Sequence, residues 1–170
     1  MRSGSLLGPA LAALGVLAAP PFGVPLSAQR LTVLEASAGA ALILARRTMA
    51  GVEAGVGYRP GGQSRVALAL AAGTEDGRAA GRAQVTAQFL VTPAARRGAG
   101  LYGGLGVAVA GRRGTPGRGY LALLVGLEAA PGGGAARRGG WYAELGLAGG
   151  ARVAAGWRGR WFPGRSPGGG

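Results

Sequence analysis

The residues from Ala83 to Thr92 alternate between apolar and polar side chains over ten positions. One face carries Ala83, Val85, Ala87, Phe89 and Val91, and the other carries Gln84, Thr86, Gln88 and Thr92, with Leu90 as the exception. A period of two residues is that of a β-strand whose two faces meet different surroundings. Ten residues is also about the length that a tilted strand needs to cross a bilayer. This stretch therefore predicts an amphipathic strand of membrane-spanning length.

Weaker versions of the same pattern recur along the chain, separated by Gly, Pro and Arg. They predict further strands at 31–41, 48–58, 64–73, 99–110, 119–129, 141–148 and 151–162. Residues 74–82 are polar and predict a loop, whereas Gly149-Gly150 is typical of a tight hairpin turn. No stretch after the N-terminal region has the period of an amphipathic helix. The pattern predicts a meander of about eight antiparallel strands.

The two faces of these strands differ in a way that indicates their surroundings. One face is rich in Leu, Val and Trp, and the other is mostly Gly and Ala with isolated polar residues. The second face has too few polar groups for contact with water, but it suits a narrow lumen, while the first suits lipid. The predicted fold is therefore a closed antiparallel up-and-down transmembrane β-barrel. Eight strands leave room mainly for side chains, so we expect little conduction.

Charged residues on the Gly-rich face predict ion pairs inside the barrel. Glu53, Glu128 and Glu144 share this face in three strands, and Arg152, Arg158 and Arg160 share one face of the last strand. Buried acids are normally paired with cations, because an unpaired buried charge is costly. We expect a structural charge network in the lumen that consists of Glu53, Glu128, Glu144, Arg152 and Arg158. Acids that are simply solvated in a wet lumen are the alternative.

The register of the last hairpin decides whether the Arg residues of the final strand point inward. A strict two-residue turn at Gly149-Gly150 would pair Ala148 with Ala151 and send those Arg side chains toward lipid. A three-residue turn at 149–151 would pair Ala148 with Arg152 and turn them into the lumen. Glu144 would then oppose Gly156, with Arg158 as its diagonal neighbour. We expect this register because it also sends the Trp residues of the strand toward lipid.

Five aromatic residues fall at strand ends on the side of the barrel where both termini lie: Tyr58, Tyr102, Trp141, Trp161 and Phe162. Aromatic residues at one level predict a girdle at a membrane interface. Two of them, Tyr102 and Phe162, lie on the face opposite to Leu and Val. Hydrophobic plugs close to the turns are therefore the alternative.

The N-terminus has the features of a secretory signal peptide. Arg2 precedes an apolar run at 6–19, and Leu26-Ser27-Ala28 is followed by Gln29. The run is shorter than the ~20 residues of a spanning helix, which favours a cleaved signal over a membrane anchor. The predicted organisation is a signal peptide at 1–28, a barrel at 29–162 and a disordered Gly/Pro tail at 163–170.

Composition restricts the chemistry that the chain can perform. It contains no Cys and no His, so thiolate chemistry, Cys-based metal sites and a Ser-His-acid arrangement are excluded. Glu75-Asp76 is too small a ligand set for Ca²⁺, and Gly98-x-Gly100-x-x-Gly103 opens a strand, unlike a dinucleotide fingerprint. We therefore expect no catalytic residue, no cofactor and no metal. The net charge of +13 favours an anionic neighbour, either lipid headgroups and lipopolysaccharide or nucleic acid.

With these features, the chain resembles the small eight-stranded outer-membrane barrels of the OmpA/OmpX type. The last strand, 156–162, is similar to the aromatic-ended strand that the outer-membrane insertion machinery reads, although Gly159 replaces an apolar residue. The resemblance implies the cell outer membrane, with lipid, lipopolysaccharide and that machinery as partners. We expect a non-enzymatic structural or surface-interaction role, without nucleic acid and with any small ligand left open. A secreted soluble β-barrel that binds a small apolar ligand is the alternative, and a basic nucleic-acid-binding protein a third hypothesis.

Overall fold

A computed structural model describes residues 33–131 and 139–161 of the chain. The strands are β1 (Val33–Leu44), β2 (Met49–Arg59), β3 (Ser64–Glu75), β4 (Arg78–Leu90), β5 (Ala99–Arg112), β6 (Arg118–Ala129), β7 (Gly139–Leu147) and β8 (Ala151–Trp161). Each strand pairs antiparallel with the next, and β8 pairs with β1 to close the barrel. The predicted closed up-and-down barrel of eight strands is confirmed. Within the two described ranges, no helix is long and apolar enough to cross a membrane.

Three sequence expectations concern residues outside the described ranges. They are the signal peptide at 1–28, the Gly/Pro tail at 163–170 and the place of Phe162 in the aromatic girdle. These remain predictions.

The connection between β3 and β4 is a tight hairpin, so the predicted loop at 74–82 is wrong. The two strands continue to Glu75 and from Arg78, and only Asp76 and Gly77 lie between them. Both turn residues have positive φ, at 49° and 73°. An Asp-Gly pair in this conformation matches the twist of the flanking strands, which explains why pairing continues to the turn. The charged residues of this segment lie at inward-facing positions of the two strands or at the tip of the hairpin.

The outer face of the barrel is almost entirely apolar. Twenty-six large apolar side chains are exposed on the described surface, among them Leu105 at 65% and Leu121 at 80%. All fourteen charged residues within the strands occupy inward-facing positions of the alternation instead: Glu35, Glu53, Arg59, Arg65, Glu75, Arg78, Arg82, Arg112, Arg118, Glu128, Glu144, Arg152, Arg158 and Arg160. The period of two thus places charge inside the barrel and Leu and Val outside.

The two ends of the barrel differ in the length of their turns. We call the end that carries the turns after β1, β3, β5 and β7 the hairpin end, and the opposite end the termini end. The turns at the hairpin end contain two to five residues, and the connections at the termini end contain four to nine. The hairpin end therefore has less loop surface than the termini end.

Aromatic side chains lie on the outside of the termini end, on four of the eight strands. This aromatic belt consists of Tyr58, Phe89, Trp141, Trp157 and Trp161, each at least 44% exposed. Phe89 and Trp157 were absent from the set expected from sequence. The expectation for Tyr102 is wrong, because this residue is fully buried inside the barrel. Its position opposite Leu and Val in the alternation of β5 already indicated the inner face.

The predicted register of the last hairpin is wrong by two residues. Leu147 pairs with Ala151, so the three-residue turn is 148–150, and Glu144 opposes Ala154 where Gly156 was expected. A shift of two residues preserves the face of every side chain. The Arg side chains of β8 therefore still point into the lumen and its Trp side chains outward.

Candidate functional site in the barrel lumen

The lumen contains a dense cluster of buried charges. Its acids are Glu35, Glu53, Glu128 and Glu144, and its bases are Arg59, Arg65, Arg82, Arg152, Arg158 and Arg160, none more than 8% exposed. Four carboxylates thus face six guanidinium groups. Buried charges are retained at low cost only when they are paired and hydrogen-bonded, so the geometry of each pair matters. We call these ten residues the lumen network.

Arg152, on β8, connects β7 with β2. Its guanidinium donates to both oxygens of Glu53 on β2, at 2.6 and 2.7 Å, and to Oε2 of Glu144 on β7, at 2.8 Å. Both contacts with Glu53 come from one nitrogen, Nη2, while Nη1 donates to Glu144, and hydrogen bonds between charged groups such as these are stronger than neutral ones. Arg152 therefore holds together strands that share no backbone hydrogen bonds.

Arg65 and Arg158 form the centre of the network toward the termini end. Arg65 donates to Glu35 and Glu128, both at 2.8 Å, and its Nε donates to Gln88 at 2.7 Å. Arg158 donates to Glu128 and, at 3.3 Å, to Glu144. Glu128 therefore accepts from two guanidinium groups that approach from β3 and β8. These bonds cross the lumen and connect opposite walls.

Tyr102 reaches across a neighbouring strand to join the network. In the sheet register Tyr102 pairs with Gly126, and Gly126 pairs with Glu144. A Cβ at position 126 would lie 2.6 Å from the Tyr102 hydroxyl oxygen, so only Gly leaves room for the ring to cross. The hydroxyl donates to Glu144 at 2.7 Å, and the Arg65 guanidinium lies 4.5 Å from the ring centroid. The Gly face noted in the sequence is thus space for aromatic side chains.

At the termini end of the lumen, two Arg side chains bind backbone carbonyl groups. Arg59 donates to the carbonyl of Gly62 at 2.9 Å, and Arg160 donates to that of Ala129 at 3.2 Å. Both guanidinium groups also lie 3.5 Å from Glu35. These contacts attach the strand ends to the network.

Two cavities inside the barrel bear on its function. The inner one, in the middle of the lumen, has a volume of about 30 Å³ and is lined by residues that include Glu35, Glu53 and Arg158. This is room for one or two water molecules. The other lies at the hairpin end, has a volume of about 660 Å³ and is lined by residues that include Arg82 and Arg118. We call this second cavity the vestibule.

The structure brings the five network residues expected from sequence together and adds others. Glu53, Glu128, Glu144, Arg152 and Arg158 all lie in the lumen and contact one another through the bonds above. Sequence reasoning placed Arg160 on the inner face without assigning it to the network, and it did not assign Glu35, Arg59, Arg65, Arg82 or Tyr102 to this cluster. The alternation indicates the inner face for each of them, because each is next in the sequence to an outward-facing Leu, Val, Ala, Tyr or Trp.

The lumen network has the chemistry of a structural brace. Each carboxylate accepts a hydrogen bond from at least one Arg. No group of three potential metal ligands occurs within residues 33–131 and 139–161. The arrangement can hold opposite walls of a barrel together and exclude bulk water from its centre.

Comparison with known proteins identifies the class of fold. The chain is similar to the N-terminal β-barrel domain of OprF from Pseudomonas aeruginosa, at 16% identity and a TM-score of 0.58, over 78% of this chain and 98% of that one. The outer membrane protein OprG from the same organism matches at 9% identity and a TM-score of 0.61, over 78% and 97%. Neisserial surface protein A matches at 14% identity and a TM-score of 0.50, over 76% and 97%.

These similarities confirm, at the level of fold, the resemblance to small eight-stranded outer-membrane barrels. No protein-family model and no curated protein sequence matches the chain.

Proposed function

We propose that this chain is a non-enzymatic integral barrel of the cell outer membrane with a structural role. The observation that carries the proposal is the outer face, which exposes twenty-six large apolar side chains. Soluble monomers rarely expose contiguous apolar patches of more than a few hundred Å². A closed barrel with an apolar exterior satisfies every backbone hydrogen bond internally, as a lipid environment requires. The similar folds of OprF, OprG and neisserial surface protein A agree with this location.

The termini and the aromatic belt favour one orientation. Both termini of an eight-stranded barrel lie at the same end, which in bacterial outer-membrane barrels faces the periplasm. The aromatic belt lies at this end, where Trp and Tyr would meet the inner lipid headgroups. The hairpin end would then face outward with turns of only two to five residues. Such short turns offer little loop surface for adhesion and favour a structural role.

The lumen is inconsistent with a barrel that carries an apolar ligand. Its wall holds the ten charged residues of the network, and the cavity between them is only about 30 Å³. A soluble carrier of an apolar molecule needs an apolar interior and a polar exterior, and this barrel has the reverse arrangement. The alternative of a secreted soluble barrel for a small apolar ligand is therefore not supported.

Lipid and lipopolysaccharide are the partners that the surface favours. The apolar wall would contact acyl chains, and the exposed Arg side chains at the rims would lie near anionic headgroups. The aromatic end of β8 at Trp161 supports recognition by the outer-membrane insertion machinery. Neither surface offers a reason to propose nucleic acid as a partner.

Location is the first prediction. The protein should sediment with outer membranes, resist carbonate extraction and migrate differently on gels before and after boiling, because closed barrels resist unfolding by detergent. Fractionation of cells that express the chain, followed by the gel assay, measures all three properties. Recovery of folded protein in the soluble periplasmic fraction would contradict the proposal.

Conduction is the second prediction. The lumen network spans the barrel from Arg152 to Arg160 and leaves an inner cavity of only about 30 Å³. We therefore expect no stable conductance steps from purified barrels in planar bilayers. Reproducible, large single-channel steps would show that the network opens, and a structural role alone would then be insufficient.

A further inference from the structure

The vestibule has an excess of positive charge. It is lined by Arg46, Arg47, Arg82, Arg112 and Arg118, against one lining carboxylate, Glu75. A cavity of about 660 Å³ is also within the size range of small-molecule sites, roughly 300–1,000 Å³. A cleft lined by charges of one sign concentrates counter-ions of the opposite sign. The vestibule is thus suited to a small anion.

Two of these Arg side chains already have acidic neighbours at the rim. Arg47 lies 3.6 Å from Asp76, and Arg112 lies 4.0 Å from Glu75. Both contacts are at least partly exposed to solvent, so each is weak. Part of the positive charge at the rim therefore remains available.

Arg82 forms the floor of the vestibule and differs from the rim residues. It is 6% exposed, and no carboxylate of the described residues lies within ion-pair distance of it. Its guanidinium donates to the carbonyl of Ala148 at 2.8 Å and to the amide oxygen of Gln84 at 2.9 Å. The buried Nε has no hydrogen-bond partner among the described residues. A buried cation whose partners are all neutral is costly, and an anion in the vestibule would offset that cost through its charge.

We propose that the vestibule binds a soluble phosphate-bearing small molecule, with Arg82 as the residue that contacts the phosphate. Guanidinium groups bind phosphate through paired hydrogen bonds, and several Arg around one cavity favour a multivalent oxyanion over a single carboxylate. The vestibule lies inside the barrel mouth, so a soluble molecule reaches it more directly than a lipid headgroup does. Beneath it, the other nine residues of the lumen network stop the ligand from passing through.

The test measures binding to the folded barrel in uncharged detergent, so it does not depend on membrane location. Calorimetric titration with pyrophosphate and with inorganic phosphate, at about 0.15 M salt to screen exposed charges, should show saturable binding. Acetate should bind much more weakly. Absence of saturable phosphate binding, or equal binding of acetate, would overturn the proposal.

Matched variants separate a built site from general positive charge. Arg82→Gln should weaken pyrophosphate binding by about tenfold or more, as expected for loss of charge-assisted hydrogen bonds. Arg113→Gln removes the same charge from an exposed turn residue that does not line the vestibule, and should leave the affinity unchanged. Equal losses of pyrophosphate affinity in both variants would show that binding depends on net charge only, and would overturn the proposed site.

A variant at the rim and a second titration in lipid bilayers complete the experiment. Arg118→Gln, at an exposed position, should also weaken binding, and it supplies the test if Arg82→Gln does not fold. The titration is then repeated in phosphatidylglycerol bilayers. Unchanged pyrophosphate affinity supports a soluble ligand, whereas loss of binding there would assign the vestibule to lipid headgroups and overturn the soluble class.

Discussion

Glu128→Gln should lower the free energy of unfolding of the barrel by about 3–5 kcal/mol, the range measured when one partner of a buried ion pair is removed. Glu128 accepts hydrogen bonds from Arg65 and Arg158, and Arg160 lies 3.5 Å away. The substitution leaves Glu35 as the carboxylate that lies within 4.0 Å of all three cations, and Glu144 remains 3.3 Å from Arg158 alone. An amide of the same size fills the space but cannot balance the charge, so the effect is electrostatic.

Glu144→Gln provides a graded comparison within the same network. Glu144 also contacts two guanidinium groups, but Arg152 keeps two bonds to Glu53 and Arg158 keeps Glu128. The loss should therefore be smaller, about 1–3 kcal/mol for weakened hydrogen bonds to charged groups. Adding Arg160→Gln to Glu128→Gln should recover part of the lost stability, because it removes one of the unbalanced cations.

Urea midpoints in lipid vesicles measure these differences. Trp141, Trp157 and Trp161 point outward, so their fluorescence changes when the barrel leaves the lipid. Val107→Leu, at an outward position that is 57% exposed, is the control and should change stability by less than about 0.5 kcal/mol. Equal midpoints for Glu128→Gln and Val107→Leu would show that the lumen charges are individually solvated.

The faces of the strands could be predicted from the sequence because the side-chain period of a strand is two. Once Val66 was assigned to lipid, Arg65 had to face the lumen, and the same reasoning applies to Tyr102. Registers were harder to predict, as the last hairpin shows. The difference between the outer and inner surroundings determines which face of a strand a side chain occupies. A shift of two residues leaves that face unchanged, so these surroundings do not determine the register.

The partners within the lumen could not be predicted from the alternation. Arg65 on β3 contacts Glu128 on β6, and Arg152 on β8 contacts Glu53 on β2. Neither pair of strands is adjacent in the sheet. Such contacts depend on the diameter of the barrel and the stagger of its strands, which follow from closure and not from any local pattern. The vestibule was missed for the same reason, since its Arg residues come from turns and strand ends far apart in the sequence.

Leu105→Arg should destabilise the barrel in lipid by about 2–4 kcal/mol, whereas Val109→Arg should cost only about 0–1 kcal/mol. Both residues point outward from β5, at 65% and 55% exposure. Leu105 lies at the middle of the strand, and Val109 is four residues closer to the hairpin end. Four residues along a strand tilted by about 40° correspond to roughly 10 Å along the barrel axis. A guanidinium introduced at position 109 would therefore reach the headgroups, and one introduced at position 105 would remain in hydrocarbon.

This pair of variants distinguishes lipid from water at the outer face. In water both substitutions replace an exposed apolar side chain by a charged one, and neither should destabilise the barrel. A dependence of the cost on position along β5 arises only if the surroundings change from hydrocarbon to headgroup along the strand. Urea titrations of folded protein in vesicles supply both values, with Val107→Leu again as the reference. Equal and small losses of unfolding free energy at positions 105 and 109 would reject a membrane-spanning barrel, because they would show that an arginine at the middle of β5 is in contact with water.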